Sequence, residues 1–278
     1  MWYWMGREFC LPVHSDLVQY QEGDLMKDMF RSFALLFAFI FGAVSFPAAA
    51  YDLQPIVIQL TPAGSGSSQT MTITNTHQVP IAIEVKAYKR DQRPDGTDQL
   101  TQDDEDLIIF PPQMVIPPGQ SQNFKVQWVG DSAPERELAY RIVTAQLPIK
   151  FDVPEVDGRR ADLSVNYRYE AALYIMPPGV EPVAELQSAK AVSGEDGTTQ
   201  IELEIASIGT MRAIIDEPSL EIKTASGETH TLSGDSILPL QQLNILPGNT
   251  RVIRLPAPSG VAPGPLTASL SNNYIRLR

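Results

Sequence analysis

The 278-residue sequence predicts an all-β protein built from two sandwich domains. Three observations predict this class. Polar and apolar residues alternate along many short runs, the period-two signature of half-buried strands. Turn-forming clusters separate the runs. No long amphipathic helix can be traced after residue 50. In chain order, Thr70-Met71-Thr72-Ile73-Thr74 alternates, and so does Val79 to Ala87, with Ile81, Ile83 and Val85 on one face. Asn123 to Trp128 sets Phe124, Val126 and Trp128 together. Gly64-Ser65-Gly66, Asn75-Thr76, Pro94-Asp95-Gly96 and Pro117-Pro118-Gly119 supply the turns. Short strands spaced in this way stack face to face as sandwiches.

Pro177-Pro178-Gly179 with Pro182 is the best boundary, because prolines stiffen a junction. The pattern restarts beyond it with Gln200 to Ile205 and Leu220 to Lys223. Pro247-Gly248-Asn249 then precedes Thr250 to Leu255, repeating the spacing of Pro118-Gly119 before Phe124 to Trp128. The expected organisation is a first domain over 51–176, a Pro-rich linker over 177–182 and a second domain over 183–278.

The first 50 residues stand apart. Lys27 and Arg31 lead into the apolar run Ser32 to Val44, and Pro47-Ala48-Ala49-Ala50 follows. A basic head, a short apolar stretch and an A-x-A exit describe a secretory signal. A membrane span needs about 20 apolar residues. The expectation is a signal peptide over 26–50, cleaved after Ala50, with Tyr51 first in the mature chain and the periplasm as its compartment. Residues 1–25 are mixed and polar, which favours Met26 over Met1 as the start. The cut removes Cys10, the only cysteine, so the mature chain forms no disulfide and must be stable on its core alone. His77 and His230 are its only histidines, which excludes the common structural zinc layouts. The 21 Lys and Arg fall to 18 and the 33 Asp and Glu to 28, leaving a net charge of −10. Such an acidic chain gains nothing from phosphate contacts, so nucleic acid is not expected as a partner.

Leu163 to Met176 is the most informative stretch. Leu163, Val165, Tyr167, Tyr169, Ala171, Leu173 and Ile175 fall on one face, and Ser164, Asn166, Arg168, Glu170, Ala172, Tyr174 and Met176 on the other. These alternations make a strand of about 14 residues, against an ordinary 5–6. Two readings stay open. The strand lies inside the sandwich with its whole apolar face in the core, or it forms a long apolar edge that pairs with another chain.

At this point the sequence resembles the periplasmic chaperones of chaperone–usher pilus assembly, over about 53–278. Ile109 to Val126, with Pro111-Pro112 and Pro117-Pro118-Gly119, is similar to that family's "P-P … l-x-P-G-x-x-q-x-h-r-v" passage. Glu137-Leu138-Ala139-Tyr140-Arg141-Ile142 running to Leu147-Pro148 resembles its "E-S-x-F-x-L-N-I-x-E-I-P" signature, without the Ser and Asn. Leu173-Tyr174-Ile175-Met176-Pro177 resembles the "K-L-F-Y-R-P" end of the next strand, without the Lys.

The resemblance implies two immunoglobulin-like sandwiches in an L-shaped arrangement and no enzymatic activity. It implies pilin subunits and an outer-membrane usher as partners, with no cofactor, metal or small-molecule substrate. The first-domain G strand would be lent to an incomplete subunit, with Leu163, Val165 and Tyr167 filling its groove and Tyr169 as a fourth position. The family holds the subunit's C-terminal carboxylate with an Arg and a Lys; here Val57 and Ala172 take those positions, and neither side chain can do so. Arg168 and Arg141 are the nearest cationic substitutes. A free apolar donor strand also favours a self-capping dimer. The competing expectation is a non-catalytic structural or adhesive sandwich protein of the cell envelope.

Other signals carry less. Asp103-Asp104-Glu105-Asp106 has oxygen ligands but no EF-hand spacing, and reads as a solvated loop. Gly64-Ser65-Gly66 matches a nucleophile elbow only in its letters. His77 and His230 lack a suitably placed Cys or Ser partner, and no catalytic constellation can be assembled. Arg159-Arg160 reads as surface charge, or as a grip on the client.

Overall fold

A computed structural model describes residues 51–148, 166–194 and 197–277. The N-terminal residues 1–50, with the expected signal, lie outside it. The first sandwich contains β1 (Asp52–Gln54), β2 (Val57–Leu60), β3 (Ser68–Thr74), β4 (Ile81–Gln92), β5 (Asp98–Asp103), β6 (Leu107–Phe110), β7 (Gln113–Ile116), β8 (Ser121–Trp128), β9 (Leu138–Gln146) and β10 (Arg168–Ile175). Its sheets run β1-β3-β8-β6 and β2-β10-β9-β4-β5, with β7 also on β4. The second contains β11 (Ala184–Ser193), β12 (Thr199–Ser207), β13 (Ala213–Lys223), β14 (Thr229–Ser233), β15 (Asn244–Ile245), β16 (Thr250–Pro256), β17 (Gly264–Pro265) and β18 (Thr267–Tyr274). Its sheets run β16-β12-β11-β17 and β14-β13-β15, with β18 also on β13.

Alternation decides which side chains meet in each core. Met71, Ile73, Ile81, Ile83, Phe124, Val126, Ile142, Leu173 and Ile175 are buried between the first two sheets. Ile201, Leu203, Ile205, Leu220, Ile222 and Leu255 do the same in the second pair. The two Pro-Gly turns are structural equivalents. Gly119 and Gly248 adopt φ of 68° and 80°, a left-handed geometry that favours glycine. Gly119 N donates to Asn75 O at 3.0 Å, and Gly248 N donates to Ser207 O at 2.9 Å. The reciprocal bonds, Asn75 N to Gln120 O and Ser207 N to Asn249 O, are both 2.9 Å. The weak sequence repeat is thus one hydrogen-bonded corner used twice.

The acidic run departs from the solvated loop expected of it. Asp103 ends β5 facing inward and is buried, and Asp106 accepts from the Tyr140 hydroxyl at 2.8 Å. Lys89 Nζ lies 2.9 Å from Asp106 and 3.4 Å from Asp103. Burial raises the Asp103 carboxyl above its ordinary pKa. The period-two register of β5 turns Asp103 inward, which its composition alone did not reveal.

The two sandwiches meet through specific bonds. Gln92 Nε2 donates to Asn244 O at 3.0 Å, and its Oε1 accepts from Leu246 N at 3.2 Å. Val252 N donates to Pro94 O, and Glu137 N to Thr210 O, each at 2.8 Å. These bonds tie β4 and the start of β9 to the second sandwich.

Candidate functional site

β10 has two different edges. From Ala172 to Ile175 it lies between β9 and β2, the latter in parallel register with Ala172 opposite Val57 and Ile175 opposite Leu60. Ala172 N donates to Ile56 O at 2.9 Å, so its amide points toward the β2 side. From Arg168 to Ala171 only β9 pairs with it among the described residues. Backbone groups alternate in direction along a strand. Those of Arg168 and Glu170 therefore face the same outer side as Ala172 N, beyond the reach of β2.

The apolar face follows the predicted alternation. Ala171, Leu173 and Ile175 are in the core. Tyr169 packs edge-on against Tyr51, with ring centroids 4.6 Å apart, and Tyr167 meets His77 at 5.6 Å. Tyr51 is itself fixed, since its hydroxyl donates to Thr144 O at 2.8 Å. Burial pushes the Tyr51 phenol up to about 12. Of the four predicted subunit-contact residues, Tyr167 and Tyr169 are described, and both pack on their own sandwich. Leu163 and Val165 lie outside the described residues, as do Arg159 and Arg160. Among the described residues the strand runs over Arg168–Ile175, and Leu163 to Val165 of the expected fourteen lie outside them.

The opposite face holds Val57 and Ala172, the two positions the resemblance set where an anchor was expected. Val57 and Ala172, taken from motif matches more than 100 residues apart, are direct neighbours across the β2–β10 pair. Val57 is 42% exposed and Ile56 67% exposed, so an apolar patch occupies this spot. The next strand in the same row brings Arg141 opposite Ala172, and Tyr88 follows on β4. Arg141 Nη2 lies 2.9 Å from Asp98 Oδ2, which also takes Arg90 Nε at 2.8 Å. One carboxylate thus serves two guanidiniums and leaves an excess of positive charge one strand from Ala172. Arg168 is farther along the strand. It pairs with Glu170 at 2.8 Å, and its guanidinium lies 5.9 Å from the centre of the Tyr88 ring.

Sequence reasoning missed Arg212. It is fully buried, 2.8 Å from the equally buried Glu137. Its guanidinium lies 3.7 Å from the centre of the Tyr174 ring, and Nη1 lies 3.7 Å from Met176 Sδ. Burial raises the Glu137 carboxyl, against the pull of Arg212. Tyr174 and Ala172 also pack with Leu246 from the second sandwich. The C-terminal root of β10 is therefore buried on both faces. A cation between Met211 and Ala213 was the available sequence signal, but periodicity could not supply its partner.

Among the described residues, no three His, Cys, Asp or Glu side chains gather as a metal site. No described helix is long and apolar enough to cross a membrane.

Residues 54–181 match the family described as "Pili and flagellar-assembly chaperone, PapD N-terminal domain". No curated protein matched the chain. Among solved structures, the class 5 fimbriae chaperone CfaA is 15% identical, with a TM-score of 0.50 over 82% of this chain and 100% of that one. A chain of the CsuC–CsuE chaperone–tip adhesion subunit pre-assembly complex, from archaic chaperone-usher Csu pili of Acinetobacter baumannii, is 14% identical. It aligns with a TM-score of 0.50 over 79% of this chain and 98% of that one. These likenesses show the fold, two immunoglobulin-like β-sandwiches. The matched family is non-catalytic, so the protein is not an enzyme. Its first domain, over 54–181, thus carries the N-terminal-domain pattern of the pili and flagellar-assembly chaperones.

Proposed function

We propose that the protein works in the periplasm, after signal cleavage near Ala50, and captures pilus subunits by lending them the strand that runs from Leu163 into β10. The observation that carries this reading is the outer edge of β10 from Arg168 to Ala171, which has no strand partner among the described residues. An extended segment of another chain can pair there through backbone bonds, without sequence demands, while alternate side chains fill its groove. Leu163, Val165 and Tyr167 supply those side chains, and each is worth about 1.5–3 kcal/mol when buried. Tyr169, held by Tyr51, contributes least. The CsuC–CsuE complex joins a chaperone to a tip adhesion subunit before assembly, which supports a subunit as client here. Delivery to an outer-membrane usher follows from the family's role.

Arg141 is the better substitute anchor for the client's carboxylate, because it faces Ala172 directly. Arg168 is the second choice. A second copy of the chain is the alternative occupant of the edge. An antiparallel pairing centred on Tyr169 would set Arg168 opposite Glu170 of the other copy, which supports a self-capping state before the client arrives. The test replaces Leu163, Val165 and Tyr167 together by Thr. Folding of both sandwiches should persist by circular dichroism, and co-purification of the subunit should be lost. Undiminished subunit recovery would refute the assignment and favour a structural or adhesive sandwich protein.

A further inference from the structure

We propose that His77 is a pH-dependent clasp on the root of the donated strand, closed while its imidazole is neutral and opened by protonation. The inference rests on the strand-donation reading and adds its regulation.

Tyr167 is the last described residue on the apolar face before the donated segment, and it packs only partly buried at the margin of the first core. Its carbonyl accepts one backbone bond, from Gln146 N at 2.9 Å. Its ring has His77 as an aromatic neighbour, with centroids 5.6 Å apart and planes tilted by 59°. His77 comes from the turn between β3 and β4, and that turn is pinned from beneath. Asn75 is wholly buried, its Nδ2 donates to Val79 O and Ile116 O at 2.9 Å, and its Oδ1 accepts from His77 N at 2.8 Å. The histidine backbone therefore cannot easily follow a moving ring.

The chemistry of the ring makes the contact conditional. His77 Nε2 is buried and has no hydrogen-bond partner among the described residues. A neutral imidazole with its proton on Nδ1 leaves only a bare acceptor there, a smaller cost than an unpaired buried charge. A second proton on Nε2 would be a buried charged donor with no acceptor, which is costly. Among the described residues, the groups around it offer no rescue. Its own turn presents the uncharged Asn75, and the facing segment presents the Tyr167 ring. The nearest charges along β10 are Arg168 and Glu170, which lie on the other face of the strand and pair with each other. Burial is the influence on the ring, and it lowers the pKa from the ordinary 6.5. A group whose folded value is depressed contributes its packing above the unfolded value and loses it as pH falls through the folded one. The clasp is therefore shut above pH 6.5 and opens on acidification below it. Opening frees Tyr167 and lengthens the segment available to a client.

The experiment follows amide exchange at Gln146, whose N–H is bonded to Tyr167 O, in the mature protein between about pH 7.5 and about pH 5. After correction for intrinsic chemistry, acidification should speed exchange roughly fivefold in the wild type and leave His77→Phe flat. The same acceleration in His77→Phe, or none in the wild type, overturns the proposal. If His77→Phe does not fold, the wild type decides. Its Tyr167 ring resonances must shift with the same midpoint as the His77 ring, and independent titration overturns the clasp. Subunit capture at about pH 7.5 separates the two ideas. His77→Phe should retain capture even if the clasp fails, whereas failure of strand donation shows as capture surviving the triple Thr substitution.

Discussion

Arg212 is out of contact with solvent, and a guanidinium survives there because Glu137 supplies the opposite charge and the Tyr174 ring a favourable face. Removing one partner leaves the other charged and buried. Arg212→Met should therefore cost about 3–5 kcal/mol in urea denaturation, while Glu137→Leu with Arg212→Met should recover most of the loss. Equal stability of the single and double variants would argue against the pair. Tyr51 gives a second residue-level test. Its phenol is raised from 10.0 to about 12, so its contribution is complete below pH 10 and fades as pH rises toward 12. Wild type should lose about 2–3 kcal/mol relative to Tyr51→Phe across that window, read by alkaline denaturation. Neither group was legible as a partner. Glu137 stood in a recognisable motif and Arg212 in an apolar run, but they lie 75 positions apart, beyond any periodicity.

At the scale of elements, period two carried far. Ile81, Ile83 and Val85, Phe124 and Val126, and Leu173 and Ile175 all lie inward as the alternation requires. The second face of β10 was the blind side. Ala172 and Tyr174 looked like the outer set of a half-buried strand, yet Leu246 and Arg212 cover them from the second sandwich. Register also gave meaning to the missing anchor. The sequence showed that Val57 and Ala172 lack charge and offered Arg168 and Arg141 in their place, and the pairing of strands puts Arg141, not Arg168, directly beside Ala172. Arg141→Gln should weaken subunit binding about tenfold or more, the scale of a lost charge-assisted bond. Arg168→Gln should matter less, because that exposed side chain is paired with Glu170. Surface-immobilised subunit would rank the two, and a larger effect at Arg168 would move the anchor to the start of the strand.

Across the whole molecule, two sandwiches share one corner motif and hold β10 differently at its ends. The C-terminal root is clamped by the second domain through Arg212 and Leu246, while the stretch toward Tyr167 has β9 on one side and, among the described residues, no strand on the other. A firmly rooted strand with an open edge is suited to being lent without being lost. The most direct test is amide exchange at Arg168 and Glu170, whose N–H groups face that edge, measured with and without bound subunit. Strand donation predicts fast exchange in the free protein and strong protection in the complex. Amides that exchange equally fast in both states would contradict it.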